Sequence, residues 1–227
     1  MCSKKVWSYI DFKEKPNRVL YNNSNLKQKI YPLYEVLNLW IATGKIKCFR
    51  NATFGTGQNV PLTLAEFKRM GIQRDTVEER IIDENGEEKI VKELRADTLS
   101  SEKILGFVIK EDWFFNKRSV LMEKKLIGFA PVYFDKKQQK NKELYWVYYP
   151  ECCDLLSSYQ VINPKGGREP YTFREAFENR NFSCYVLKES NVYDREKPGN
   201  SKGFEVENEN RRNKDRFESD EENLWSK

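Results

Sequence analysis

The side chains in this sequence able to do acid–base or nucleophilic chemistry are carboxylates, lysines and cysteines, because the chain contains no histidine. Histidine is the usual general base near neutral pH and the commonest ligand of catalytic metals. Its absence removes Ser-His-Asp and Cys-His catalysis, together with the HExxH and Cys/His zinc classes. An enzyme would have to rely on a carboxylate pair such as Glu111 and Asp112, on Glu123, or on Cys153 activated by lysine. Adjacent residues on a strand point to opposite faces, so Glu111 and Asp112 do not readily share one substrate. FGTGQN at 54–59 lacks the GK[ST] ending of a phosphate loop and the third glycine of a dinucleotide fingerprint. It reads as a loop, and GGR at 166–168 reads as a turn. The acidic pairs Asp83-Glu84 and Glu87-Glu88 lack calcium-loop spacing. No catalytic residue, cofactor or metal is therefore assigned, and the chain reads as a non-catalytic building block of a larger assembly.

The five cysteines, at 2, 48, 152, 153 and 184, are odd in number and have no CxxC spacing. That fits neither a disulfide framework nor a zinc site. Cys48 with Cys184 is the pairing open to an exported protein, and buried free thiols are the better account. The net charge of +5 is uneven. Residues 1–50 carry ten Lys/Arg against three Asp/Glu, and residues 201–227 carry six against eight. Such a front end suits phosphates, lipid head groups or an acidic partner, or is simply a solvated face. Nucleic acid is disfavoured, because the aromatic residues sit in apolar strands and the tail is negative. No stretch approaches the roughly 20 apolar residues of a membrane span, and MCSKKVWSYIDF shows no apolar signal-peptide region.

These residues must be positioned by a core, and 39% hydrophobic with 14% aromatic residues is enough for one. Residues 4–13 alternate like a strand, and 33–42 place Leu33, Val36, Leu37 and Trp40 at helical spacing before Gly44. IKCF (46–49) reads as a strand, and Thr63 with Glu66 suits a capping box for a following helix. The near-palindrome ERIIDENGEEKIVKE, centred on Asn85-Gly86, predicts a charged hairpin over 78–93. Long strands are expected at 104–115 and 119–134, and a third at 144–150, where the aromatic run implies burial on both faces. Helices follow from Pro150 and from Thr172, with Glu175 in the first turn, and FSCYVL (182–187) is the last strand. LYEVL…GKIKCFRN (33–51) and FREAF…NFSCYVLKESN (173–191) echo one another, each half opened by a tryptophan, Trp7 or Trp113. A duplicated helix–strand unit and chance similarity both account for this, chance being the better bet. The expected fold is α+β, a mostly antiparallel sheet flanked by short helices. Residues 1–196 form its core, and 197–227 a polar, charged interaction tail.

KEDWFFNKRSVLMEKKLIGFAPVYFD (110–135), LYWVYYPECCDLL (144–156) and FENRNFSCYVLKESNVYDR (177–195) resemble the GldN/PorN family. So do the opening VWSYIDFKEKPNRVLY (6–21) and the closing FESDEENLW (217–225). These are gliding-motility and type IX secretion proteins of Bacteroidetes. The resemblance implies a periplasmic, outer-membrane-associated subunit without a transmembrane segment. It also implies rings of many copies built with the outer-membrane lipoprotein GldK/PorK, and contact with the trans-envelope motor protein GldM/PorM. No catalytic site is implied. The chain departs from the family in showing no signal peptide, and at Cys153, where a basic residue is expected. Within this frame the interface candidates are Trp113, Phe114 and Phe115, since a strand with one open face cannot bury three consecutive aromatics. Glu189, Asn191, Tyr193 and Arg195 are candidates for locking subunit register. Phe217, Leu224 and Trp225, beside Asp220, Glu221 and Glu222, suit docking onto a basic surface. The alternatives are a monomeric adaptor for one protein partner and a carboxylate-dependent hydrolase.

Overall fold

The computed structural model describes residues 3–21, 30–54, 60–82, 88–116, 121–163 and 171–190, with the backbone alone over 73–97. Strand β1 (Ser3–Asp11) is followed by helices α1 (Arg18–Tyr21) and α2 (Leu33–Ala42), strand β2 (Cys48–Phe49) and helix α3 (Leu64–Met70). The hairpin β3 (Ile72–Ile82) and β4 (Glu88–Thr98) comes next, then the long β5 (Ile104–Asn116) and β6 (Leu121–Asp135), and β7 (Lys140–Glu143). Strand β8 (Trp146–Tyr148) leads into α4 (Tyr149–Ser157), the short β9 (Gln160–Val161) and β10 (Tyr171–Thr172), α5 (Phe173–Glu178) and β11 (Tyr185–Glu189). The main sheet runs β11-β1-β5-β6-β8-β2, with β7 also on β6, and every pairing in it is antiparallel. This is the α+β class expected. Among the described residues no helix is long and apolar enough to cross a membrane.

Local chemistry explains the helix ends. Thr63 accepts from the Glu66 N–H while the Glu66 carboxylate accepts from the Thr63 N–H, and Thr172 with Glu175 repeats the arrangement at α5. Each box satisfies two donors that a helix start otherwise leaves open. α2 ends on Gly44 at φ 71°, with the Gly44 and Lys45 N–H groups donating to Ile41 and Trp40. α5 ends the same way, the Arg180 and Asn181 N–H groups donating to Phe177 and Ala176, but the left-handed residue is Arg180 at φ 49°. A non-glycine residue in that region is disfavoured and needs a reason.

Strand alternation divides the sheet into two faces. One carries Ile10, Phe107, Ile109, Phe129 and Val147 against Leu37 and Trp40 of α2, Leu156 of α4, and Phe173 and Phe177 of α5. Full burial of such side chains stabilises by about 1.5–3 kcal/mol each. The opposite face holds a smaller cluster of Tyr9, Phe49, Val108, Ala130, Val132 and Trp146.

The pairing register is nearly symmetric. Val186, Ser8, Ile109, Phe129, Val147 and Cys48 form one continuous row across the six strands. Exchanging the two ends of this row about the Ile109/Phe129 pair brings β1 onto β8 and β2 onto β11. Each of β1 and β8 is followed by helices and then by a strand on the far edge, so the two halves interlock. The equivalent openings are therefore Trp7-Ser8-Tyr9 and Trp146-Val147-Tyr148. Trp113, expected to open the second half, lies instead on central β5.

Several bounds shift. The strand expected at 144–150 is confined to Trp146–Tyr148, because α4 already begins at Tyr149 with Pro150 in its first turn. Trp146 and Val147 nevertheless serve opposite faces. The hairpin is longer than 78–93, pairing Ile72 with Thr98 through to Ile82 with Glu88. Its Asn85-Gly86 tip lies outside the described residues. The Cys48–Cys184 pairing is not made. Among the described residues both thiols are free, and Cys48 and the start of β11 lie at opposite edges with four strands between. At about 4.8 Å per strand that far exceeds the ~7 Å Cα limit of a disulfide.

Candidate protein interface

Two tryptophans sit between lysines on neighbouring strands. On the helix-covered face Lys4, Trp113 and Lys124 are in register across β1, β5 and β6. The ammonium groups of Lys4 and Lys124 lie 5.5 and 4.2 Å from the Trp113 ring centroid. On the opposite face Trp7 is in register with Lys110 of β5 and Lys188 of β11, whose ammonium groups lie 5.1 and 4.6 Å from its ring. A cation over an aromatic face contributes about 0.5–2 kcal/mol, more when desolvated. Lys110 is 4% exposed and donates through Nζ to the Ala52 carbonyl. Burial lowers its pKa below the usual lysine value, and Lys5 nearby adds to the shift.

Beneath Trp113 lies a buried polar group. The indole N–H donates to Glu111 Oε2 at 3.1 Å, and Glu111, 1% exposed, accepts at Oε1 from the Arg180 guanidinium. The guanidinium also faces the Phe182 ring at 5.4 Å and reaches the Cys184 sulfur at 3.6 Å. Burial pushes the Cys184 thiol up, with Arg180 opposing. A carboxylate so far from water needs this pairing. It accounts for the left-handed Arg180: the turn aims its side chain at Glu111.

At the β11 edge, Lys4 Nζ bridges to Glu189 Oε2 at 3.1 Å. The Ser190 N–H donates to the Lys5 carbonyl at 2.7 Å, and the Lys5 N–H donates to Ser190 Oγ at 2.9 Å. Thus Lys4 joins two of the residues singled out from sequence, Glu189 and Trp113, in one corner. Trp113 is itself buried, whereas Phe114 and Phe115 are half-buried and face Glu123 and Met122 on β6. Asn191, Tyr193, Arg195, Phe217, Leu224 and Trp225 lie outside the described residues. Sequence reasoning missed Lys4, Trp7, Lys110, Lys124, Arg180 and Lys188. The only local trace was lysine recurring beside tryptophan within strands, and pairing register is what turns that into a stack.

Three of the groups that a hydrolase would have used, Glu111, Glu123 and Cys153, are engaged. Glu111 is held by Arg180 and Trp113, and Glu123 accepts from Asn116. Burial raises the Cys153 thiol pKa, and its S–H donates to the Tyr149 carbonyl at 3.3 Å, so it is not an activated nucleophile. Among the described residues no group of three or more His, Cys, Asp or Glu could hold a metal ion.

Compared with known families, the chain matches over residues 1–226 the family described as Gliding motility associated protein GldN. No curated protein matches it.

Proposed function

Because the chain belongs to the GldN family of gliding motility associated proteins, and is thereby a component of the gliding-motility and type IX secretion machinery, we propose that it is a structural, ring-forming subunit of that machinery. In this reading it is periplasmic, assembles with an outer-membrane lipoprotein of the GldK/PorK kind and meets the trans-envelope motor GldM/PorM. The observation that carries it is the difference between the two sheet edges. β11 closes the sheet on one side. On the other side, Pro61 bridges to Phe49, and the Leu62 N–H donates to the Cys48 carbonyl at 2.8 Å along the outer side of β2. A contact between one copy's β11 edge and another's β2 edge is head-to-tail, and such a contact closes into a ring where its rotation allows. Phe114 and Phe115 serve as anchors toward a neighbour, Glu189, Asn191, Tyr193 and Arg195 fix register, and 197–227 is an interaction tail after a core of 1–196. Truncation after Ser201 should leave the fold intact and weaken assembly.

The test is the light-scattering mass of the protein alone and after co-expression with its lipoprotein partner. A megadalton species formed only in the mixture supports the co-assembled ring. A monomer that elutes apart from the partner overturns it and leaves the single-partner adaptor as the better reading.

A further inference from the structure

Toward the distal end of β5 and β6 the sheet carries lysines on both faces behind an apolar edge. Two neighbouring rows across β1, β5 and β6 read Lys4-Trp113-Lys124 and Lys5-Asp112-Lys125. Side chains alternate along a strand, so the first row is on the helix-covered face and the second on the opposite one. Lys110 and Lys188, flanking Trp7, add to the second face. Lys5, Lys124, Lys125 and Lys188 are exposed. Of the nearby carboxylates, Glu111 is held by Arg180, Glu189 by Lys4, and Glu123 accepts from Asn116. Ahead of the lysines, Leu121 is 55% exposed, and Met122, opposite Phe115, is half-buried.

These cations burden one another. Burial, and then repulsion from Lys5 and Lys188, lower the Lys110 pKa, with Asp112 opposing. An anionic partner relieves that repulsion, and the placement of the lysines says which kind. A peptide laid on the sheet would meet the lysines of one face. A plane that the strands approach end-on meets both rows, because they stand one residue, about 3.4 Å, apart along the strands. Lysines at such a plane reach head groups while their stems and neighbouring tryptophans lie at the boundary, and an apolar side chain ahead of them enters it. We propose that this end of the sheet docks end-on onto an anionic phospholipid surface, Lys5, Lys124 and Lys125 meeting the phosphates and Leu121 entering the apolar boundary. End-on docking leaves the flanks of the strands open, so Phe114 and Phe115 keep their role toward a neighbour in the plane of the membrane. This contact goes beyond the ring reading and is measured on the chain alone.

The experiment is flotation of the full chain with vesicles of phosphatidylethanolamine and phosphatidylglycerol, against vesicles of phosphatidylcholine. The protein is expected to float with the anionic vesicles alone, and less as salt rises. Lys5→Gln with Lys125→Gln should lower the partition coefficient roughly 30-fold, and Lys124→Gln, on the other face, roughly fivefold. Leu121→Asn changes no charge and should lower it roughly fivefold with an unchanged melting temperature. Absence of flotation, equal flotation with neutral vesicles, a loss confined to one face, or a Leu121→Asn partition equal to wild type overturns the proposal. A chain that captures soluble poly-glutamate but does not float assigns the lysines to an acidic protein, which also overturns it. The ring reading is judged separately, by the light-scattering mass of the co-expressed assembly, so either can fail without the other.

Discussion

The halves of the sheet related about Ile109/Phe129 solve one problem in opposite ways. Trp7 and Trp146 occupy equivalent positions. Lys110 and Lys188 cover Trp7 as cations. Trp146 donates to the Glu143 carboxylate at 2.8 Å and lies 6.3 Å from the Phe54 ring, which comes from the loop after β2. The residue opposite Trp7 is Lys110, and its equivalent opposite Trp146 is Ala130. The lysine stacks on its tryptophan, whereas in the other half the small Ala130 and the neighbouring Gly128 leave room for the Phe54 ring. Likewise Arg180 ends α5 where Gly44 ends α2. A shared backbone plan thus carries one tryptophan capped by lysines and another packed by a phenylalanine from the loop after β2.

Arg180→Ala is the strongest way to break this contrast. It strands Glu111 in the interior without its counter-charge and should cost about 3 kcal/mol, read as a lowered urea midpoint with an unchanged slope. A loss below about 1 kcal/mol would mean that Glu111 is not held as a buried anion. Gly128→Ala should cost about 2 kcal/mol, because a Cβ there would lie 2.5 Å from Phe54 and 2.6 Å from the Val147 carbonyl. Wild-type stability of this variant would show that Phe54 is dispensable to its half.

Ser8 corresponds to Val147, and its buried hydroxyl has no hydrogen-bond partner among the described residues. Ser8→Ala should therefore stabilise, by about 1 kcal/mol, visible as a higher melting temperature. The smallest effect concerns pH. Because the Lys110 pKa is lowered from 10.5 in the folded protein, the folded state sheds this proton first. Stability should gain from this lysine as pH rises from its lowered pKa toward 10.5, and Lys110→Met should abolish that gain. Identical alkaline profiles for the two proteins would contradict the desolvated lysine.

Legibility followed the range of the interaction. The Thr63–Glu66 capping box, the helix start at Thr172 with Glu175 in its first turn, the helix at 33–42 with its Gly44 stop, and the arms of the two long strands were readable, because their signals lie within a few residues. The echo between 33–51 and 173–191 was audible, yet its partner tryptophan was misplaced. Strand order, which no local pattern encodes, is what equates Trp7 with Trp146. The lysine–tryptophan stacks and the Glu111–Arg180 pair were illegible for the same reason: Arg180 is 69 residues from Glu111. The outer arms of the hairpin were missed because 72–77 and 94–98 lack clean apolar alternation.

The paired hydrogen bonds between Ser190 and Lys5 determine how the molecule would bear mechanical load. They fasten the last described residue of the chain to β1, itself antiparallel to β11. Tension applied at residue 190 along the strand axis loads this clamp and the whole β1–β11 ladder in shear, so that many bonds must yield together. Tension across the sheet would instead unzip them singly, beginning at the clamp. The direction in which a neighbour pulls would therefore decide whether this edge acts as a rivet or as a release.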